Sequence, residues 1–187
     1  LHEAYNAHAT AHGLDVAPIS AAVKERNALL KKRLPPVARL ATTAALEHFT
    51  ALLAEAVLGD DEVLAGVDPA HAALWRWHAA EETEHKAVAF DVLAQVSGSY
   101  LVRMRSYAVV SVMFPSFTLL HTLHLMRHDG TLLDARAHLG LLRFLFVEPG
   151  MLPKIAPGWR AYFRPDFHPW MRDDREQLQR WQATAGE

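Results

Sequence analysis

From His71 to Val92, alternating steps of three and four residues pick out His71, Trp75, His78, Glu82, His85, Ala89 and Val92. A helix through this stretch therefore carries packing residues and ligand-type residues on one face. A carboxylate on a core face is costly unless a positive group stands opposite it. The stripe thus constrains the fold to one that supplies Glu82 with such a group. The competing reading is a solvated face, with Glu82 pairing Lys86 and Glu81 pairing His85 one turn on. Trp75 and Val92 on the same stripe favour burial, and leave Glu84 and Lys86 as the residues expected on the wet side.

The rest of the chain is written in the same helical period, and no strand-period run, repeat or low-complexity block stands out. Gly13 and Pro18 are expected to close an opening helix. Ser20 is the expected N-cap of a second helix that Pro35-Pro36 stops. Leu40, Ala44, Glu47, Ala51, Ala54 and Leu58 form a third stripe ending at Gly59. Asp68 should cap a helix with Pro69 at its first position, running to about Val96, where Ser97-Gly98-Ser99 breaks it. Tyr107 to Met126 is the most apolar stretch, and Pro115, His121 and His124 interrupt it, so a buried or interfacial helix is expected rather than a membrane span. Thr131 is the expected cap of a helix reaching Val147. Five of ten prolines fall between Pro149 and Pro169, which predicts an irregular C-terminal wrap over 149–187, anchored by Trp159, Tyr162, Phe163, Phe167 and Trp170. The expected architecture is all-α, in one domain over 1–187.

Composition removes several classes of function. The net charge is −2, and no Lys/Arg cluster is interleaved with aromatics, so nucleic-acid binding is not expected. Without cysteine there are no disulfides, iron–sulfur clusters or thiolate nucleophiles. No phosphate loop, Gly-x-Ser-x-Gly elbow or His-Glu-x-x-His motif occurs. No signal-peptide pattern opens the chain, and a cytoplasmic setting with peripheral membrane contact is the expectation.

What remains is metal chemistry. Glu82 and His85, three residues apart, reach one ion from one helix face. Di-metal carboxylate bundles use that Glu-x-x-His unit twice, with single Glu residues from two other helices. Glu47 would meet Glu82 if its helix packs antiparallel to the next. His78, one turn before Glu82, is a further nitrogen ligand or a partner that orients a carboxylate. Glu81 is the candidate catalytic proton carrier. His121, His124 and His128 share a face but lack acidic neighbours, and are expected to be buried or interfacial.

Three stretches carry a resemblance. They are Ala45-Leu46-Glu47-His48-Phe49-Thr50-Ala51, the run from Trp75 through Trp77-His78-Ala79-Ala80-Glu81-Glu82-Thr83-Glu84-His85 to Val92, and Tyr162-Phe163-Arg164-Pro165-Asp166-Phe167-His168-Pro169-Trp170. They resemble the bacterial family described as predicted metal-dependent hydrolase, over nearly the whole chain. The resemblance implies a ferritin-like four-helix bundle with Glu47, Glu82 and His85 as metal ligands, supported by His78 and Glu81. It implies two divalent ions, iron first, with zinc or manganese as the other options, and a small-molecule substrate, for which the apolar Tyr107 to Met126 segment suggests an apolar character. Hydrolysis is the leading expectation, with a di-iron oxidase or oxygenase as the alternative. Family members carry a Gln-Glu-x-x-His helix that continues as His-x-x-Tyr/Phe-Asn. His2-Glu3-Ala4-Tyr5-Asn6 matches only that continuation, so an N-terminally incomplete ligand set is expected.

Overall fold

The computed structural model describes residues 2–185, with side chains from Tyr5 to Ala183. All regular structure among them is helical: α1 (His2–Ala11), α2 (Ala17–Arg33), α3 (Pro36–Gly59), α4 (Pro69–His85), α5 (Val88–Val96), α6 (Tyr100–His128), α7 (Ala135–Phe146), α8 (Met151–Ala161) and α9 (Arg175–Ala185), with short 3₁₀ turns at Asp61–Leu64 and Pro169–Met171. The all-α class follows.

α3 is the hub, packing against α4, α5, α6, α8 and α9. Its composition explains why. Ala41, Ala44 and Ala45 are essentially inaccessible, and such small side chains let several neighbours approach one axis closely. One face of α3 joins Phe49 to Phe90, Leu93, Tyr107, Val110, Tyr162 and Phe167 in the main core. Tyr107 stacks on Tyr162 with ring centroids 4.0 Å apart. The other face, where Glu47, Thr50 and Ala54 lie within about 60° of one another, is turned to α4. The pairs Thr50–Glu82, Glu47–Ala89 and Asp61–Arg76 run in opposite chain directions, so α3 and α4 pack antiparallel as expected.

Several boundaries differ from the sequence expectation. α2 starts at Ala17 rather than at a Ser20 cap, because Pro18 occupies its first turn, where no amide hydrogen is needed. Asp134, not Thr131, caps α7 by accepting from the Arg136 amide. The segment expected as an irregular wrap contains α8 and α9. Pro153 falls in the first turn of α8, and helix persists through Pro157. Of the five expected anchors, Tyr162 and Phe167 are buried, while Phe163 and Trp170 are 38% and 52% exposed. Gly158 brings α8 close to α3: a Cβ there would run into Leu52 Cδ2, so any larger residue would force the Leu52 side chain to move.

The helix expected to run unbroken from Pro69 to Val96 is interrupted at Lys86-Ala87. Lys86, expected in water, is 5% exposed. Its ammonium donates to Asp174 Oδ2 at 2.5 Å and to the Arg172 carbonyl at 2.9 Å, and lies over the Trp170 ring. The chain after α8 thus holds the break from outside. From inside, Glu47 accepts from the Ala89 amide in the first turn of α5, a carboxylate placed where a helix start favours one.

Candidate metal centre

The α4 stripe read from the sequence does not face the core. The buried ridge of α4 is Ala72, Ala79, Ala80 and Thr83, while His71, Trp75, His78, Glu82 and His85 lie about a third of a turn round, on the flank of the α3 seam. Trp75 and Val92 are accordingly 40% and 44% exposed. Small residues won the seam because they allow close helix packing. α1 lies over this flank, with Tyr5 edge-on to Trp75 and His8 against His71, antiparallel to α4.

Glu47 and Glu82 meet from opposite sides of the seam. Burial raises the Glu47 carboxyl above its ordinary value; the Ala89 amide pulls it back down, the neighbouring negative charge of Glu82 raises it further, and His85 opposes that. No lysine or arginine among the described residues acts on it. Thr50, one turn along α3, donates its hydroxyl to Glu82 Oε2 at 2.6 Å, which fixes the carboxylate with its other oxygen toward His78. There His78 Nε2 is 3.6 Å from Glu82 Oε1, and His78 Nδ1 is 3.6 Å from Glu81 Oε2. Both are ion contacts longer than a hydrogen bond. The imidazole stands between the two carboxylates, with Glu82 more enclosed and Glu81 nearly half exposed.

Glu47 and Glu82 are thus neighbours at one end of the α3–α4 seam, with His78 beside Glu82 and His85 close enough to act on Glu47 from the exposed end of α4. Glu84 is exposed, as expected. Among the described residues, however, no three His, Asp or Glu side chains converge in a way that could hold a metal ion. The side chains of His2 and Glu3 lie outside the described residues. The second histidine group forms no site: His124 bonds the Asp15 carbonyl, and His121 lines a groove.

Sequence reasoning missed Thr50 and His48. Thr50 sits one turn after Glu47, a signal that was available. His48 is buried with Nε2 donating to the Gly158 carbonyl at 3.1 Å, and burial pushes its imidazole down to about 4, aided by the nearby Arg172 charge. It is a packing histidine, enclosed by Tyr107, Tyr162 and Phe167.

The family model described as predicted metal-dependent hydrolase matches residues 1–173. The chain belongs to this family. The match covers α1 to α8 and the Tyr162–Trp170 stretch, so the Glu47 and Glu82 helices both lie inside it. Family membership implies a divalent metal and a small-molecule substrate. No curated protein matches the chain, and no solved structure does.

Proposed function

We propose that this member of the family is a hydrolase that uses a divalent cation held between Glu47 on α3 and Glu82 on α4, with His85 and His78 alongside. The observation that carries the reading is the approach of two carboxylates, one of them partly desolvated, with no lysine or arginine among the described residues acting on Glu47. Carboxylate oxygens with a supporting imidazole suit a hard or borderline divalent ion. The α5 cap accounts for one oxygen of Glu47, and leaves the nearness of Glu82 unexplained. The proposal is for one cation, since α3 and α4 supply two carboxylates and His85 where a ferritin-like pair of ions uses a larger set.

A cation in this position would lower the pKa of a bound water and polarise a substrate oxygen. The chain's own residues supply the proton path. His78 has one ring nitrogen 3.6 Å from Glu82 and the other 3.6 Å from Glu81, and Glu81 opens to solvent, so shortening both gaps to hydrogen-bond length would give a proton taken up beside Glu82 a route outward. Thr50 holds Glu82 in the orientation this requires.

A groove of about 260 Å³ between α2, α3 and α6 supports an apolar portion in the substrate, being lined by Leu30, Leu34, Leu46, Met113 and Phe117 with Arg26 over the Phe117 ring. Its volume is near the lower bound of small-molecule sites, about 300 Å³. Leu46, which lines it, immediately precedes Glu47.

The test is metal content by elemental analysis after purification, followed by calorimetric titration of zinc, manganese and ferrous iron into the metal-free chain. Glu82→Ala and Glu47→Gln should each lower ion affinity at least about tenfold. Retention of wild-type affinity by both would end this reading. Uptake of dioxygen by the ferrous form would replace hydrolysis with oxygenation at the same residues.

A further inference from the structure

All 21 acidic residues of the chain lie outside two of its helices. α6 and α7 together contain five arginines and four histidines, and no Asp or Glu. Their outward faces are apolar. Val112, Leu119 and Leu120 on α6 and Leu139, Leu142 and Phe146 on α7 are each between 49% and 68% exposed, and Leu133 in the connecting turn is 95% exposed. No residue of α7 is buried. An apolar surface of this extent on a soluble chain marks an interaction face.

α6 is long and apolar enough to cross a membrane by length and composition, yet only 11% of its apolar window is buried. Its other side is committed to the protein. Arg103, Tyr107 and Val110 are buried there, with Arg103 donating to the Arg164 and Phe167 carbonyls and Tyr107 donating to the Trp159 carbonyl. A helix held along one side by α3 and the α8 region offers its opposite side and does not need to be surrounded by lipid. α7 has the composition of an interfacial helix, with Leu139, Leu142 and Phe146 in one stripe and Arg136 and Arg143 beside it.

We propose that the outward sides of α6 and α7 dock on the surface of an anionic lipid bilayer, with their leucines and Phe146 entering the headgroup region and Arg105, Arg127 and Arg136 meeting lipid phosphates. Charge decides between this occupant and a second copy of the chain. In a two-fold pairing the same patch meets itself, so Arg105, Arg127 and Arg136 would face their own copies, while the carboxylates at the rim are already engaged, Asp129 by Thr131, Asp134 by the Arg136 amide and Glu148 by Arg143. An anionic bilayer supplies the missing charge, worth about fivefold in affinity for each arginine at the surface. The docking does not depend on the metal reading, and a metal-free Glu82→Ala chain should retain it.

The experiment is co-sedimentation of the full chain with vesicles of phosphatidylcholine alone and of phosphatidylcholine mixed with phosphatidylglycerol. Binding to the mixed vesicles should exceed binding to the neutral ones by more than about tenfold and weaken as salt is raised. Arg105→Gln and Arg136→Gln should each cost about fivefold on mixed vesicles and leave the neutral ones unaffected. Leu142→Asp combined with Phe146→Asp should abolish binding with helix content unchanged by circular dichroism. If that double variant unfolds, the two arginine variants still decide the matter. Equal partition to both vesicle types, absence of binding, or a dimer in sedimentation that Leu142→Asp dissociates would each overturn the proposal.

Discussion

The seam between α3 and the α4–α5 pair and the outward face of α6–α7 are built from helices of similar kind and have opposite fates. The seam is lined by alanines and Thr83, and its polar groups are answered across it: Glu82 by Thr50, Glu47 by the Ala89 amide. The outer face carries larger and more apolar side chains, yet it stays open. Hydropathy alone would reverse the two. The alanine-rich α3 is the hub because burial in a helical protein goes first to surfaces that can approach closely, and the bulk of α6 limits how many neighbours it can accept. What is left open is an apolar face on two helices that carry no Asp or Glu, while Glu47 and Glu82 lie at the seam.

The contrast can be broken or sharpened by substitution on each side. The largest effect is expected at the α4–α5 break, where Lys86→Met would leave Asp174 buried without its cation. A loss of about 3–5 kcal/mol in urea unfolding is expected. Arg143→Met on the outer side, where the Glu148 pair is more than half exposed, should cost less than about 1 kcal/mol. Equal losses would erase the distinction between the regions.

Next in size is the acid limb of stability. The folded imidazole of His48 titrates at about 4 against an ordinary 6.5, so the neutral form is favoured by the fold. Its contribution is complete above pH 6.5 and is lost as pH falls from 6.5 to about 4, amounting to about 3 kcal/mol. His48→Gln, which keeps a donor near the Gly158 carbonyl, should flatten that limb in unfolding curves recorded across this range. An unchanged limb would assign it to other groups.

Smaller again is Glu47→Gln. An amide oxygen can still accept from Ala89, and the charge that burial and Glu82 oppose is gone. Stability should therefore stay within about 1 kcal/mol of the parent, while metal affinity falls. A large loss of stability would make Glu47 chiefly a helix cap. The smallest effect belongs to the outer face, where Leu142→Ser should shift the unfolding midpoint by less than about 0.5 kcal/mol. A shift of several kcal/mol would show that the face is covered in solution.

Much of this arrangement was legible in the residues. Helical period, the Pro35-Pro36 stop and the Asp68-Pro69 start all follow from local patterns, and the structure bears them out. The displacement of the ligand stripe from the buried ridge, about a third of a turn, was not legible, because a stripe of His, Trp and Glu and a ridge of Ala and Thr share the same period and differ only in which one the neighbour selects. The break at Lys86 was equally hidden. It depends on Asp174 and Arg172, nearly ninety residues away, and no window along the chain contains both.

The sequence by itself determined the helical class, the family and the residue types available for metal chemistry, since these reside in short-range spacing and in motifs that neighbours do not alter. Only the tertiary structure decided which carboxylates face each other, that Lys86 is an interior cation, and that the most apolar helix keeps one side uncovered. Those outcomes are contests between surfaces for a limited number of close contacts around α3, and such a contest is settled by shape and distance once the helices have met.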